Sequence, residues 1–399
     1  MPHLQQTDLS QVLKPLEQAC GLPNAHYTSQ DVYEEEKQAV LFNNWAGIGF
    51  TCDVPNPGDV KPITFMGMPL LLVHDHGGQI AVFQNTCRHR GMILVDKPTH
   101  IKKMVRCPYH SWCYALDGKL KSTPHVGGSG QHTHEAIEND TLGLFSVPSA
   151  TYLGVVFVNI SGKAEDFDQY AASLKHRWSN FNQPTYSAGP CSRYTLSVNT
   201  NWKLAVENYC ESYHLPSIHP GLNSYSKLQD HYNIELQGHY SGQGSYKYRQ
   251  LEDDAGTRFP DFNNLEEQWD TGAEYIALYP NVLLGVHRDH TFALILEPLS
   301  VEKTTEHIAL FYTEQGASDP DLSELRRTNT ELWVDIFRED IGVVEGMQAG
   351  RHGQMFDGGR FSPAMDGPTH NFHHWVAEAV QQHRVTKAEH IIHRQTDNS

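Results

Sequence analysis

Positive charge is scarce in this chain: 30 Lys and Arg stand against 47 Asp and Glu, a formal charge of −17. Phosphate backbones and anionic lipid both demand a cationic surplus, so neither nucleic acid nor membrane is expected as a partner. Cysteine is sparse as well, seven in 399 residues and an odd number, which is no disulfide framework. No run of about 18 apolar residues occurs, so no spanning helix is expected. The opening MPHLQQTDLSQVLKPLEQACGLP lacks the basic start and apolar core of a secretory signal. No G-x-G-x-x-G follows a strand pattern, and no cysteine set has plant-ferredoxin spacing. With 39% hydrophobic residues, the expectation is a cytoplasmic protein of several globular domains. One residue is in surplus. The 25 histidines direct the search toward metals.

The pattern changes twice along the chain. In residues 1–45, Leu9, Val12, Leu13 and Leu16, then Tyr33, Ala39 and Phe42, recur at steps that predict helix. Residues 46–162 carry short β-type runs, PLLLVH (69–74), QIAVFQN (79–85) and LGVVFVNI (153–160), broken by Gly, Pro and Asn. They predict a small all-β domain, with GGSG at 127–130 as a loop. Residues 163–399 mix helical patterns with strands such as HTFALIL (290–296) and HIALFY (307–312), an α+β texture.

The β region holds Cys87-Arg88-His89 and, seventeen residues on, Cys107-Pro108-Tyr109-His110. Two thiolates and two imidazoles on short loops can converge on one centre. Structural zinc usually takes a CxxC pair and a separate histidine pair. Here each pair is mixed, which suits a 2Fe-2S cluster with both thiolates on one iron and both imidazoles on the other. The segment NTCRHRGMILVDKP…VRCPYHSWCYALDGKL (85–120) resembles the Rieske domain of ring-hydroxylating oxygenases. That resemblance leaves Cys20, Cys52, Cys113 and Cys191 as small buried hydrophobes and assigns nothing to Cys210.

A second constellation lies in NWKLAVENYCESYHLPSIHP (201–220). Trp202, Val206, Tyr209 and Tyr213 define a core-facing helical stripe, and Glu207, Glu211 and His214 a second one. Pro216 predicts a helix end near Leu215, with His219 swinging back from the turn beyond. Two imidazoles and a carboxylate with open positions make an Fe(II) site. Alone the pair is weak, since such a histidine spacing is expected about 1.6 times by chance. The carboxylate must come from afar. In ELWVDIFREDIGVVEGMQAG (331–350), Asp340 falls within the stripe Leu332, Ile336, Val343, Val344, Met347. A charge there is costly unless paired or on a metal. Asp335, Glu339 and Glu345 read as solvated-face charges.

The string ENYCESYHLPSIHP is similar to the catalytic-helix motif of the same Rieske non-heme iron oxygenases, with Glu211, His214 and His219 at its acid and iron-histidine positions. Aromatic-ring members mostly carry Asp where this chain has Glu211; a Glu occurs in members acting on quaternary ammonium compounds, though not only there. The likeness covers nearly the whole chain. It implies an α+β fold: a Rieske domain (46–162) inserted near the N-terminus of a helix-grip, START-like catalytic domain (163–399), on which the helical segment 1–45 packs. It implies one 2Fe-2S cluster on Cys87, His89, Cys107 and His110, and one mononuclear Fe(II) on His214, His219 and Asp340. Glu211 would bridge His110 of one subunit to His214 of its neighbour in a head-to-tail homotrimer, with Asn208 beside it in the catalytic motif. NAD(P)H and flavin would sit on a separate reductase, with or without a ferredoxin. The stretch GRFSPAMDGPTHNFHHWV (359–376) looks like the close of such subunits, its histidines structural.

For the substrate that meets O2 there, AEYIALYPNVLLGVHRDHTFALIL (273–296) resembles the family's pocket-lining strands. Tyr275, Tyr279, His287 and Phe292, with Trp333 and Phe337, would form an apolar pocket, although such spacing also suits plain core. An aromatic acid would want a cation, for which Arg288 is the candidate. A methylated ammonium group would want an aromatic cage. The expectation leans to mono-oxygenation or N-demethylation of a betaine- or carnitine-type compound. The alternatives are an aromatic-ring hydroxylating (di)oxygenase alpha subunit, a Rieske electron carrier without oxygenase activity, and a zinc-stabilised binding module.

Overall fold

A computed structural model describes residues 8–235 and 238–396 and divides into two compact units. One is Gly47–Lys163; the other joins the residues up to Ala46 with those from Ala164 onward.

The smaller unit is built from short antiparallel strands. Asp59–Phe65, Met68–His74 and Ile80–Gln84 form the centre of a five-stranded sheet edged by Thr99–His100 and Ser146–Val147. The first two join through Met66 and Gly67, both at positive φ, the two-residue hairpin turn that matches strand twist. A three-stranded sheet of Val105–Arg106, Cys113–Tyr114 and Leu120–Ser122 lies in the same unit. Leu71, Val73 and Phe83 share one core with Trp112, Tyr114 and Leu116, and Cys87 and Cys107 belong to it.

In the larger unit an eight-stranded antiparallel sheet runs Tyr186–Ser187, Lys303–Tyr312, His290–Ser300, Val282–Val286, Ala273–Leu278, Tyr240–Ser245, His231–Glu235, with Arg193–Val198 also paired to Lys303–Tyr312. The helices Trp202–Cys210, Ser323–Gly350 and Gly367–Thr396 pack with it. The long helix Ser323–Gly350 buries Trp333, Val334, Phe337, Val344 and Gln348. This corrects the expected stripe: Leu332 is 41% exposed, and Ile336 and Met347 are half-buried. Leu9–Leu16 is not helical either. It forms turns up to Pro15, which has no N–H to donate, and α-helix begins only at Ala25–Thr28 and Gln30–Glu36. Of the cysteines expected inside, Cys20 is buried, but Cys52 and Cys113 are half-buried and Cys191 is exposed.

The helix Trp202–Cys210 is buried on almost every side. Asn201 caps it by accepting from the Lys203 N–H. Two charges on it are therefore buried and must be paired. Lys203 Nζ lies 2.6 Å from Glu36 Oε2 and 2.9 Å from Asn201 Oδ1, and Glu36 Oε1 meets His26 Nδ1 at 2.7 Å. Glu207 accepts from Tyr27 and faces Arg351 at 3.4 Å and His373 at 3.2 Å. Burial acts to raise the Glu36 carboxyl, but Lys203 and then His26 outweigh it and hold it below the usual range. His373 Nδ1 accepts from the Leu22 N–H, and His370 meets the Val12 carbonyl, so the late histidines are structural as expected.

Removing one partner should show this. Lys203→Met leaves Glu36 buried against a half-complete network and should cost about 3–5 kcal/mol in the unfolding of the larger unit. Urea denaturation followed by tryptophan fluorescence measures it; an unchanged midpoint would contradict the pairing.

Candidate active site

The two cysteine loops fold alike. The Cys87 N–H donates to the Met92 carbonyl and the Gly91 N–H to the Cys87 carbonyl; the Cys107 N–H donates to Trp112 and the Ser111 N–H to Cys107. In each loop the fifth residue takes positive φ, 72° at Gly91 and 60° at Ser111. The repeat buries both thiols and brings the His89 and His110 rings to the surface of the unit, centroids 4.7 Å apart. Trp112 stacks on His89 at 4.9 Å. The Tyr114 hydroxyl accepts from the Arg88 N–H and shares a second hydrogen bond with Cys87 Sγ at 3.3 Å. Burial raises the Cys87 thiol; Tyr114 and the His89 N–H oppose that, and the adjacent Cys107 sulfur adds to it. Buried His110 Nδ1 has no hydrogen-bond partner among the described residues. Paired thiols, paired imidazoles and an orphaned ring nitrogen fit an iron–sulfur cluster. Each thiol shares its loop with a histidine, which is not the usual arrangement of structural zinc.

The second site begins where the buried helix stops, at Cys210 and not near Leu215. The cause is Glu211. Its backbone is extended, and its Oε2 accepts from the N–H groups of Tyr213 and His214, ending the helix with a local cap. Pro216 then sits in the first turn of a new short helix, Leu215–Ile218, where no N–H is needed. Tyr213 consequently leaves the predicted stripe and is 56% exposed.

The break brings His214, His219 and Asp340 together, their ligand atoms all within 4.8 Å of one another. Asp340 Oδ1 lies 3.1 Å from His219 Nε2 and 3.7 Å from His214 Nε2. It is nevertheless buried without a hydrogen bond of proper geometry. Atoms that converge without bonding one another fit a shared metal ion. The opposite ring nitrogens are both held: His214 Nδ1 by Glu211 Oε1 at 2.7 Å, His219 Nδ1 by Glu339 Oε2 at 2.7 Å. Carboxylates placed so orient a metal-bound imidazole and raise its basicity. Glu339 was expected to point elsewhere, and that reading is corrected. Glu345 is also engaged, at 2.9 Å from the backbone and side-chain nitrogens of Asn199, whereas Asp335 is exposed and pairs with Arg338.

Asn208, Tyr209, His214, His219 and Asp340 line one cavity, whose far wall is Tyr275, Phe292, Trp333 and Phe337. Trp333 is pinned through its Nε1–H to His290, itself 2.8 Å from Asp289. Tyr279 and His287, expected in this wall, lie outside it. Tyr279 packs on Phe372 and Trp375, and His287 sits behind Tyr275 at 3.2 Å. Arg288 is bound to Asp261 and takes no part. Two lining residues had no signal in the sequence. His231 donates to Gln243 at 2.7 Å while Ser226 serves its other nitrogen, and Gln243 donates to the Glu211 carbonyl. Glu306 lines a small adjoining cavity with Asp340; burial, then the Asp340 charge, push its carboxyl up to about 8.

Known families and proteins resemble the chain in both of its units. Residues 177–382 match the family described as ring hydroxylating alpha subunit (catalytic domain), and residues 44–138 match the Rieske 2Fe-2S domain. The carnitine monooxygenase oxygenase subunit of Escherichia coli strain K12 is 25% identical over 345 residues, 86% of this chain and 87% of that one. The glycine betaine monooxygenase oxygenase subunit of Pseudomonas aeruginosa strain UCBPP-PA14 is 29% identical over 212 residues, 53% and 47% of the two chains. The fold is that of a solved quaternary ammonium Rieske monooxygenase (TM-score 0.75, 21% identity, 93% and 98% covered). Naphthalene 1,2-dioxygenase from Rhodococcus sp. shares it equally (TM-score 0.75, 17% identity, 95% and 99% covered).

Two outcomes follow from the geometry. A Val at position 91 must adopt a φ that β-branched residues avoid, at about 1–2 kcal/mol, whereas Gly at 111 relieves the same strain. Gly91→Val should lower the temperature at which the visible absorbance of the iron–sulfur chromophore is lost, and Ser111→Gly should not. Equal effects would refute the loop repeat. Glu339→Ala should weaken iron binding at the histidine pair by about 10–100-fold while sparing that chromophore. Iron titration after chelation measures it, and an unchanged affinity would remove Glu339 from the site.

Proposed function

The chain belongs to the ring hydroxylating alpha subunit family and carries a Rieske domain, and from that premise we propose that it mono-oxygenates a quaternary ammonium compound of the betaine or carnitine type. Membership makes it a Rieske non-heme iron oxygenase with one 2Fe-2S cluster and one mononuclear iron. We assign the cluster to Cys87, His89, Cys107 and His110, and the iron to His214, His219 and Asp340. When bound, the two groups supply single electrons and activated dioxygen respectively. A separate NAD(P)H reductase would deliver the electrons, and the cytoplasm suits a sequence whose cysteines are sparse and odd in number.

The observation that carries the substrate reading is the cavity wall. Tyr209, Tyr275, Phe292, Trp333 and Phe337 line the cavity with the histidine pair, and no Lys or Arg is among its described lining residues. Aromatic faces attract a methylated ammonium group by about 0.5–2 kcal/mol each. Charge points the same way. Asp340, Glu211 and Glu339 surround the two imidazoles, one negative charge more than a divalent ion neutralises. The named relatives that act on carnitine and glycine betaine support the reading.

In this reading the wall excludes water and holds an N-methyl group toward the histidine pair, with Asn208 and Tyr209 fixing the near side. The methyl C–H becomes C–OH at the expense of O2, two electrons and two protons, with water as the second product. The C–N bond of the hydroxymethyl ammonium then breaks, releasing formaldehyde, a proton and the tertiary amine. Glu211 holds His214 with one oxygen and backbone N–H groups with the other. We assign it the bridge to His110 of a neighbouring subunit in a head-to-tail trimer. Exposed Met92, Ile93 and Tyr109, on the same loops as the surface histidines, supply an apolar rim suited to such docking.

Turnover with a compatible reductase tests the reading: a quaternary ammonium compound should drive oxygen uptake matched by formaldehyde. Hydroxylation of arenes alone would refute it. Glu211→Gln should keep both metal centres and still lower product formation by about 10–100-fold. Loss of the mononuclear iron, or wild-type turnover, would remove the bridge role.

A further inference from the structure

A second chamber of about 280 Å³ adjoins the aromatic cavity and shares Leu222, Tyr275, Trp333 and Ile336 with it. Its chemistry is different. Among the described residues the only charged ones lining it are Lys247 and Arg249, with no Asp or Glu. Both are exposed, two residues apart on the segment that leaves the strand Tyr240–Ser245. Their isolation stands out in a chain of charge −17. Elsewhere in the unit arginines hold carboxylates: Arg177 with Glu274, Arg288 with Asp261, Arg384 with Glu35. Among the described residues neither Lys247 nor Arg249 has such a partner; Arg249 lies over the Tyr225 ring at 5.6 Å. Tyr248, between them, is anchored to Asp289, which through His290 also holds Trp333. One buried carboxylate thus ties the cation-bearing segment to the aromatic wall.

We propose that Lys247 and Arg249 form a carboxylate subsite, so that the substrate is a zwitterion whose ammonium group enters the aromatic cavity while its carboxylate remains in the outer chamber. This rests on the quaternary ammonium reading and adds to it the residues that hold the far end: a carboxylated chain of the γ-butyrobetaine kind is bound at both ends, and choline, which has no carboxylate, at one. Charge-assisted contacts at an exposed rim bind through a largely screenable attraction, so the preference should weaken as salt rises.

The test is steady-state turnover of γ-butyrobetaine and choline by the iron-loaded protein with a compatible reductase, in the wild type and in Lys247→Met/Arg249→Met. Iron content and visible spectrum confirm that the variant is intact. The wild type should favour γ-butyrobetaine, and the ratio of the two kcat/KM values should fall about tenfold in the double variant, through KM. The salt dependence of that ratio should disappear with it. A wild type that treats the two compounds alike, or a preference that survives the double substitution, overturns the subsite alone. A wild type that neither binds nor turns over any quaternary ammonium compound overturns the functional reading and the subsite together.

Discussion

Two imidazoles are fixed from behind by carboxylates so that their front nitrogens meet at a third. His214 is held by Glu211, His219 by Glu339, and both face Asp340. The remaining features of the site follow from this constraint. A histidine whose Nδ1 is engaged presents Nε2 in one tautomer and one orientation. For that to happen within six residues of chain, the helix must break between Cys210 and His214, and Glu211 breaks it by capping the next turn. The same side chain thus ends a helix, starts a turn and orients a ligand.

The ground beneath is equally determined. The helix that carries Asn208 and Tyr209 into the cavity carries Lys203 and Glu207 into the core, where Glu36 and Arg351 meet them. Unpaired, each such charge would cost several kcal/mol. Rotating or sliding the helix would strand them. Burial of the ion pairs therefore supplies registry, and registry is what a metal site needs. The aromatic wall is fixed in the same manner, Trp333 through His290 to Asp289.

Much of this was legible in the sequence, for physical reasons. Metal-ligand spacing is local, so the mixed Cys-x-His and Cys-x-x-His pairs stand out by themselves, whereas the His214 and His219 spacing is weak alone and gains weight from the resemblance of its motif. Asp340 was readable because a charge on an apolar helical stripe needs a partner, even though the stripe proved to be Trp333, Phe337 and Val344 rather than Leu332 and Ile336. What escaped was non-local. Glu339 is adjacent to Asp340 and resembles any surface acid; only the rule that ligand histidines have outer partners hinted at it. Pro216 reads as the helix stop because a side-chain cap at Glu211 has no periodic signature. Tyr279 and His287 alternate correctly for a wall, but pattern does not say which layer a strand faces, and Phe372 and Trp375 claim Tyr279. His231 and Gln243 belong to a network joined only by folding.

The ligands assigned above require one chain to hold an iron–sulfur pair and a separate iron. Anomalous diffraction at the iron edge from crystals of the loaded protein tests it most directly. Three iron peaks per chain are expected, two between the sulfurs of Cys87 and Cys107 and the rings of His89 and His110, and one among His214 Nε2, His219 Nε2 and Asp340. A single peak at the cysteine loops, zinc in place of iron there, or no iron at the histidine pair would contradict it.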